Sequence, residues 1–236
     1  MFDDFRRRVV PFALLAALYG PTTSGVSAQS VMVDQGVFSI SIEGRLVGTE
    51  DFSIRRAGFG NDAVFIASGA ITTTDTDPAE EVRTLLRATA PDGAADGYEI
   101  KVSGPAEATI SLNSIGPRFV SRFESDEGQE EREFRARPGT RIVERHVAHH
   151  FYFLRDVPEG GGAHVIEPRS RTDDQLVAGP WLEEEIRIGR NRIEARRVVF
   201  VGAAGERTVW FDRQGRVLRV EVPAADYVAV REDLVG

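Results

Sequence analysis

The sequence predicts a mainly β protein made of one large, curled antiparallel sheet, a half-barrel or β-clam with one helix against its concave face. Three observations predict it. Apolar residues alternate with period two along many runs of strand length, Gly, Asp and Pro punctuate those runs at short intervals, and a single segment carries helical spacing. A twisted sheet of ten or more strands does not stay flat and open; it curls, splits or closes. A closed β-barrel or a β-sandwich is the structural alternative, but neither naturally places a helix two thirds of the way along the chain.

The first hairpin is the clearest element. In the run 37–43, Phe38, Ile40 and Ile42 share one face and Ser39, Ser41 and Glu43 the other. Gly44-Arg45 supplies the turn, and the run 46–56 returns with Leu46, Phe52 and Ile54 assigned to one face. Gly48 marks a bulge or a close backbone approach. Further strand-length runs follow at 63–73, 82–90, 98–103, 108–113, 118–125 and 132–137. Asp77-Pro78 resembles a helix start, but Thr84, Thr89 and the surrounding run of strands favour strand for 82–90.

The expected helix covers Thr140 to Asp156, where Ile142, Val143, Val147, Phe151 and Leu154 recur at three- and four-residue steps. Pro158 and the glycines at 160–162 end it, and residues 163–172 read as an irregular crossing. A second meander closes the chain with runs at 182–188, 193–201, 206–212, 217–222 and 227–232, separated by Gly-bearing or Pro-bearing turns. No linker-like stretch interrupts this order, so residues 29–236 are expected to form a single β domain.

The opening pattern Phe38-x-Ile-x-Ile-x-Gly44-x-x-Val-Gly48-x-Glu50-x-Phe52 and the closing run from Val209 to Pro223 resemble exported bacterial half-barrel proteins of unknown function. These are similar in fold to periplasmic lipoprotein carriers. The resemblance covers two hairpins and the strand order between them and includes no catalytic motif. It implies a fold and a compartment.

The compartment is also read from the start of the chain. Arg6, Arg7 and Arg8 precede an apolar run from Val9 to Tyr19, and Val26-Ser27-Ala28 offers small residues where a signal peptidase reads. Residues 1–28 are therefore expected to be a cleavable signal peptide, which places the protein in the periplasm or outside the cell. The apolar run is shorter than the roughly 20 residues of a membrane-spanning helix, and no later run is longer. Residue 29 is Gln, which excludes acylation of a Cys at that position.

Composition removes several function classes. The chain holds 29 Lys and Arg against 37 Asp and Glu, a net charge of −8, so binding nucleic acid phosphates would oppose its own field. Losing residues 1–28 removes three Arg and two Asp and moves −8 to −9. With no Cys there are no disulfides, thiolate metal sites or cysteine nucleophiles. Nucleophile-elbow, phosphate-loop and dinucleotide motifs are absent, so the chain is read as no enzyme and needing no cofactor. The acidic runs 126–131 and 183–185 are read as solvated charge, the second paired across strands with nearby arginines.

Two constellations remain. His146, His149 and His150 would share one face of the expected helix, which is what a Zn²⁺ or Cu²⁺ site needs, although Val147 and Ala148 stand where a metalloprotease helix carries its Glu. As plain polar residues of an amphipathic helix they need no metal. The second is an apolar lining of Phe38, Ile40, Phe52, Phe151, Phe153, Trp181 and Trp210. If it encloses a cavity, each CH₂ of a bound chain contributes about 0.8 kcal/mol. The function expected is binding or carrying a lipid or lipid-like envelope molecule. The alternative is a structural or protein-interaction module with an envelope protein as its partner.

Overall fold

The computed structural model describes residues 30–74, 79–90 and 92–234; the expected signal peptide lies outside them. Sixteen strands form one sheet. They are β1 (Ser30–Ile42), β2 (Arg45–Ala57), β3 (Val64–Thr73), β4 (Glu81–Thr89), β5 (Ala95–Ser103), β6 (Ala108–Ile115), β7 (Arg118–Ser125) and β8 (Gly128–Arg135) in the first half. The second half holds β9 (Arg141–Ile142), β10 (Gly162–Glu167), β11 (Thr172–Ala178), β12 (Leu182–Ile188), β13 (Asn191–Gly202), β14 (Gly205–Phe211), β15 (Val217–Val222) and β16 (Tyr227–Arg231).

The order across the sheet is β8-β7-β6-β5-β4-β3-β2-β1-β16-β15-β14-β13-β11-β10-β9, with β12 attached to β13. Each half is thus a meander, and the two meet where the first strand pairs with the last, Ile40 opposite Ala229 and Ile42 opposite Tyr227. Every pairing is antiparallel except β9 with β10. The order is open. The β9 end is drawn back over the first half by the Ala95 N–H of β5 donating to the Thr140 carbonyl at 2.7 Å, and the β10–β11 turn is tied to the end strand β8 by an ion pair from Arg171 to Glu130. The result is a large curled, unclosed sheet, the half-barrel that the alternation predicts.

The β1–β2 turn shows why the strand phase holds. Glu43 and Gly44 both adopt positive φ, 51° and 73°, the pair a two-residue hairpin turn of matching twist requires. Four residues on, the register shifts between Ile40 and Ser41, opposite Gly48 and Leu46. A Cβ at Gly48 would lie 2.0 Å from the Thr72 carbonyl oxygen, so only glycine lets β3 approach here. The bulge also corrects the assignment of Leu46: the extra residue flips the phase, and Val47 turns inward while Leu46 is exposed.

The segment from Thr140 onward departs from the expected α-helix. Only β9 and a seven-residue 3-10 helix, Ala148–Leu154, form there, and the 3-10 helix is buried on every side. It is therefore no amphipathic helix lying on the sheet but a plug inserted within it. The region expected to be an irregular crossing is instead the β10–β11 hairpin.

One core fills the concavity, drawing on Phe38, Ile54, Leu86, Ile100, Leu112, Val165, Phe200 and Phe211 as well as the plug. A second, small cluster lies apart from it. Ile188, Ala195, Trp210 and Leu218 pack together there, with Val230 and Leu234 against them.

Candidate functional site

The inward faces of β1–β3 bring Phe38, Phe52 and Glu50 beneath the plug. Glu50 is fully buried and lies in phase with Phe52 and Ile54 on β2. Its carboxylate is held by the plug's own backbone: the Ala148 N–H donates to Oε2 at 2.7 Å and the His149 N–H to Oε1 at 3.0 Å. The His149 ring completes the arrangement, with Nδ1 2.6 Å from Oε1. Facing an acceptor, Nδ1 carries a proton. Gly69 on β3 makes room for this ring, since a Cβ there would sit 2.6 Å from His149 Cε1. Phe52 stacks flat on the same imidazole at 5.7 Å between centroids.

His150 points another way. Its Nδ1 accepts the Glu144 N–H at 3.3 Å, so the neutral ring bears its proton on Nε2, and it packs T-shaped with Tyr98 at 5.3 Å between centroids. Burial, reinforced by His149, pushes its basicity well below the ordinary value, so the ring stays neutral. His146 precedes the plug and lies against Tyr227 at 5.2 Å. The His149 and His150 rings meet nearly at right angles, 4.6 Å between centroids, while His146 stands apart from them because the chain is not α-helical here. Among the described residues no three His, Asp or Glu side chains are grouped as a metal ion would need, His146, His149 and His150 included.

Around these rings lies a layer of polar atoms without partners. Thr84 Oγ1, Tyr98 OH, Tyr227 OH and the Nε2 atoms of His146, His149 and His150 are all enclosed and make no hydrogen bond among the described residues. Such atoms are normally paired with protein or ordered water. Burial, together with the nearby carboxyls of Glu144 and Glu50, holds the Tyr98 phenol well above its usual range, and burial with Glu50 does the same to Tyr227. Both are neutral hydroxyls at any physiological pH. Glu144 is buried too, and desolvation pushes its carboxyl up to about 7 despite the Arg169 N–H donating to Oε1 at 2.8 Å.

The expected apolar lining divides. Phe38, Ile40, Phe52, Phe151 and Phe153 all belong to the main core, where Phe38 stacks on Phe52 at 5.1 Å. Trp181 is partly buried at the margin of that core, its indole N–H donating to the Val157 carbonyl at 3.1 Å and its ring beside Phe211 at 5.7 Å. Trp210 does not line the concavity. It faces the opposite side, in the small cluster, with its indole N–H bonded to Glu184, and the inward aromatic of that strand is Phe211. Phe151 and Phe153 fill the concavity rather than edge an open space.

Glu50, Thr84, Tyr98, Glu144 and Tyr227 were missed by motif reading. The signal that could have found Glu50 is strand phase, because an acid two residues before Phe52 and four before Ile54 must face the core. The same test finds Arg207 and Arg231, both buried and paired with Glu167 and Asp34.

No protein-family model and no curated protein matches the sequence. Among solved structures, the chain is similar to a crystal structure titled as a beta-barrel-like protein of domain of unknown function DUF1849 from Brucella abortus, at 10% identity and a TM-score of 0.51. The match covers 84% of this chain and 94% of that one. At that identity the likeness speaks for the fold alone: this chain has a β-barrel-like, half-barrel fold of unknown function.

Proposed function

We propose that the protein is an exported half-barrel, working in the periplasm or outside the cell, that binds an apolar or lipid-like envelope molecule in the space its plug occupies. The observation that carries this reading is the seat of the plug. Phe151, Tyr152, Phe153 and Leu154 fill the concavity with apolar bulk, yet hydroxyls of the sheet beneath them and imidazoles of the plug and the chain leading into it make no hydrogen bond among the described residues. Each such group costs about 1–3 kcal/mol unless water reaches it. The plug is thus held less firmly than its buried area suggests, and an acyl chain gaining about 0.8 kcal/mol per CH₂ can compete for the same apolar walls. The leader-like residues 1–28 and the absence of catalytic motifs fit the same reading.

Glu50 makes the test specific, because it ties down the plug's first turn. A fluorescent fatty-acid probe titrated into the folded chain should bind saturably, and Glu50→Gln, whose amide cannot accept all three donors, should bind it several-fold more tightly. Near-ultraviolet circular dichroism of Trp181 and Trp210 reports folding in the same samples. A folded wild type and a folded variant that both ignore the probe would overturn the proposal and leave an interaction module as the better reading.

A further inference from the structure

Where the plug begins, the chain passes a recess of about 220 Å³ lined by Glu144, Arg145, His146, Val147, Arg169 and Ser170. That is room for several waters. One wall is the chain leading into the plug, and the other is the turn between β10 and β11. The two are tied together by the Arg169 N–H bond to Glu144.

The recess is locally cationic in a protein of net charge −8. Two guanidiniums line it, and neither is saturated by its carboxylate. Arg145 lies 3.6 Å from Glu167, whose other oxygen is taken by buried Arg207, and Arg169 lies 3.7 Å from Glu80. Both distances exceed a hydrogen bond, so these contacts leave the planar donor forks free to turn toward a better acceptor. A third group reports the field: the His146 imidazole is depressed to about 4 by burial, then by Arg169 and Arg145. Its enclosed Nε2 has no partner among the described residues.

We propose that this recess binds the oxyanion of a phosphate, sulfate or carboxylate group, free or at the end of a larger molecule, between the Arg145 and Arg169 guanidiniums with His146 at its side. Bidentate guanidinium contacts are the strongest recognition of such groups that side chains offer. Glu144 sets the pH dependence. It is faced by Arg145 and Arg169, by Glu167 from β10, and by His150 and Tyr98 from within. With its carboxyl at about 7 it is neutral and able to donate at pH 6, and a repelling carboxylate at pH 8. The inference stands apart from the apolar-ligand reading, because an inorganic anion needs no displaced plug.

Isothermal titration with sodium sulfate tests it, since sulfate keeps its charge between pH 6 and pH 8. Saturable binding is expected at pH 6, about tenfold weaker at pH 8 as the neutral fraction of Glu144 falls. Arg145→Gln and Arg169→Gln should each weaken it at least tenfold. These side chains are a third exposed, so both variants should fold, and thermal melts confirm it. In the wild type, sulfate should move the NMR titration midpoint of the His146 ring upward, which a merely structural pair of arginines would not do. Inorganic phosphate and short-chain, water-soluble phosphatidic acid then separate the sources: equal affinity indicates a free anion, and tighter binding of the lipid a headgroup. Absence of saturable sulfate and phosphate binding at pH 6, or affinities unchanged in both arginine variants, would overturn the proposal.

Discussion

Replacing Glu144 by Gln should make the protein more stable at alkaline pH than the wild type, and the structure fixes both sign and size. Glu144 is 2% exposed and its carboxyl titrates at about 7 in the folded chain against 4.5 ordinarily. Between those values the folded chain keeps a proton that the unfolded chain has released. Stability therefore falls as pH rises through the window, and the full cost is present at pH 8. At about 1.4 kcal/mol per unit, the interval corresponds to about 3 kcal/mol. Glutamine keeps the shape and the acceptor for the Arg169 N–H but cannot ionise. The histidines work in the opposite direction. His146 and His150 are held neutral by burial, so their contribution is present above the ordinary 6.5 and is lost as pH falls. They are common to both chains and cancel in the difference. Urea unfolding of wild type and variant from pH 4.5 to pH 8, in buffer free of phosphate and sulfate, should show a gap that opens by about 3 kcal/mol toward pH 8. Parallel pH profiles would refute the assignment of a raised carboxyl to Glu144.

Two further substitutions probe the interior. Gly69→Ala puts a Cβ 2.6 Å from His149 Cε1 and 3.1 Å from Thr84 Oγ1, so overpacking of about 1–3 kcal/mol should lower the melting temperature by several degrees; an unchanged melt would mean the ring sits elsewhere. Arg231→Met strands buried Asp34, which Arg231 binds through two nitrogens at 2.8 and 2.9 Å, and should cost about 3–5 kcal/mol in chemical denaturation. Adding Asp34→Asn to that variant should recover a substantial part, and a double variant no better than the single would show that the pair carries no coupling.

The hairpins were legible because each obeys local rules: β1 and β2 alternate and Gly48 sits at a bulge, although the turn falls at Glu43-Gly44, one residue before the expected Gly44-Arg45, because Glu43 takes a positive φ that its residue type does not announce. Likewise Glu184 and Glu185 pair with Arg197 and Arg192 across β12 and β13, as their spacing suggested. What failed to show was burial from all sides. Ile142, Val143, Val147, Phe151 and Leu154 are buried as a helical stripe would be, but so are His149, His150, Tyr152 and Phe153 between them. A periodicity test sees the stripe and not the rest. Trp210 failed for a related reason, since alternation says that Trp210 and Phe211 oppose each other but not which side is the concave one. The polar site was hidden because its members come from β2, β4, β5, β16 and the plug, which only the curl of the sheet brings together.

The seam between β1 and β16 bears on how such a chain can fold. Residues 38–42 lie beside residues 227–231, so the middle of the sheet is the strand pairing of greatest sequence separation among the described residues. Each meander can zip up from neighbouring hairpins, but joining them closes a loop of nearly the whole chain, the slowest kind of pairing. A polypeptide delivered from its N-terminus must then wait, with one long edge of β1 unpaired, until β16 has emerged. Until that moment the exposed strand edge invites pairing with another chain. Assembly is thus gated by residues 227–231, and loss of that one strand would leave two half-sheets with no shared centre.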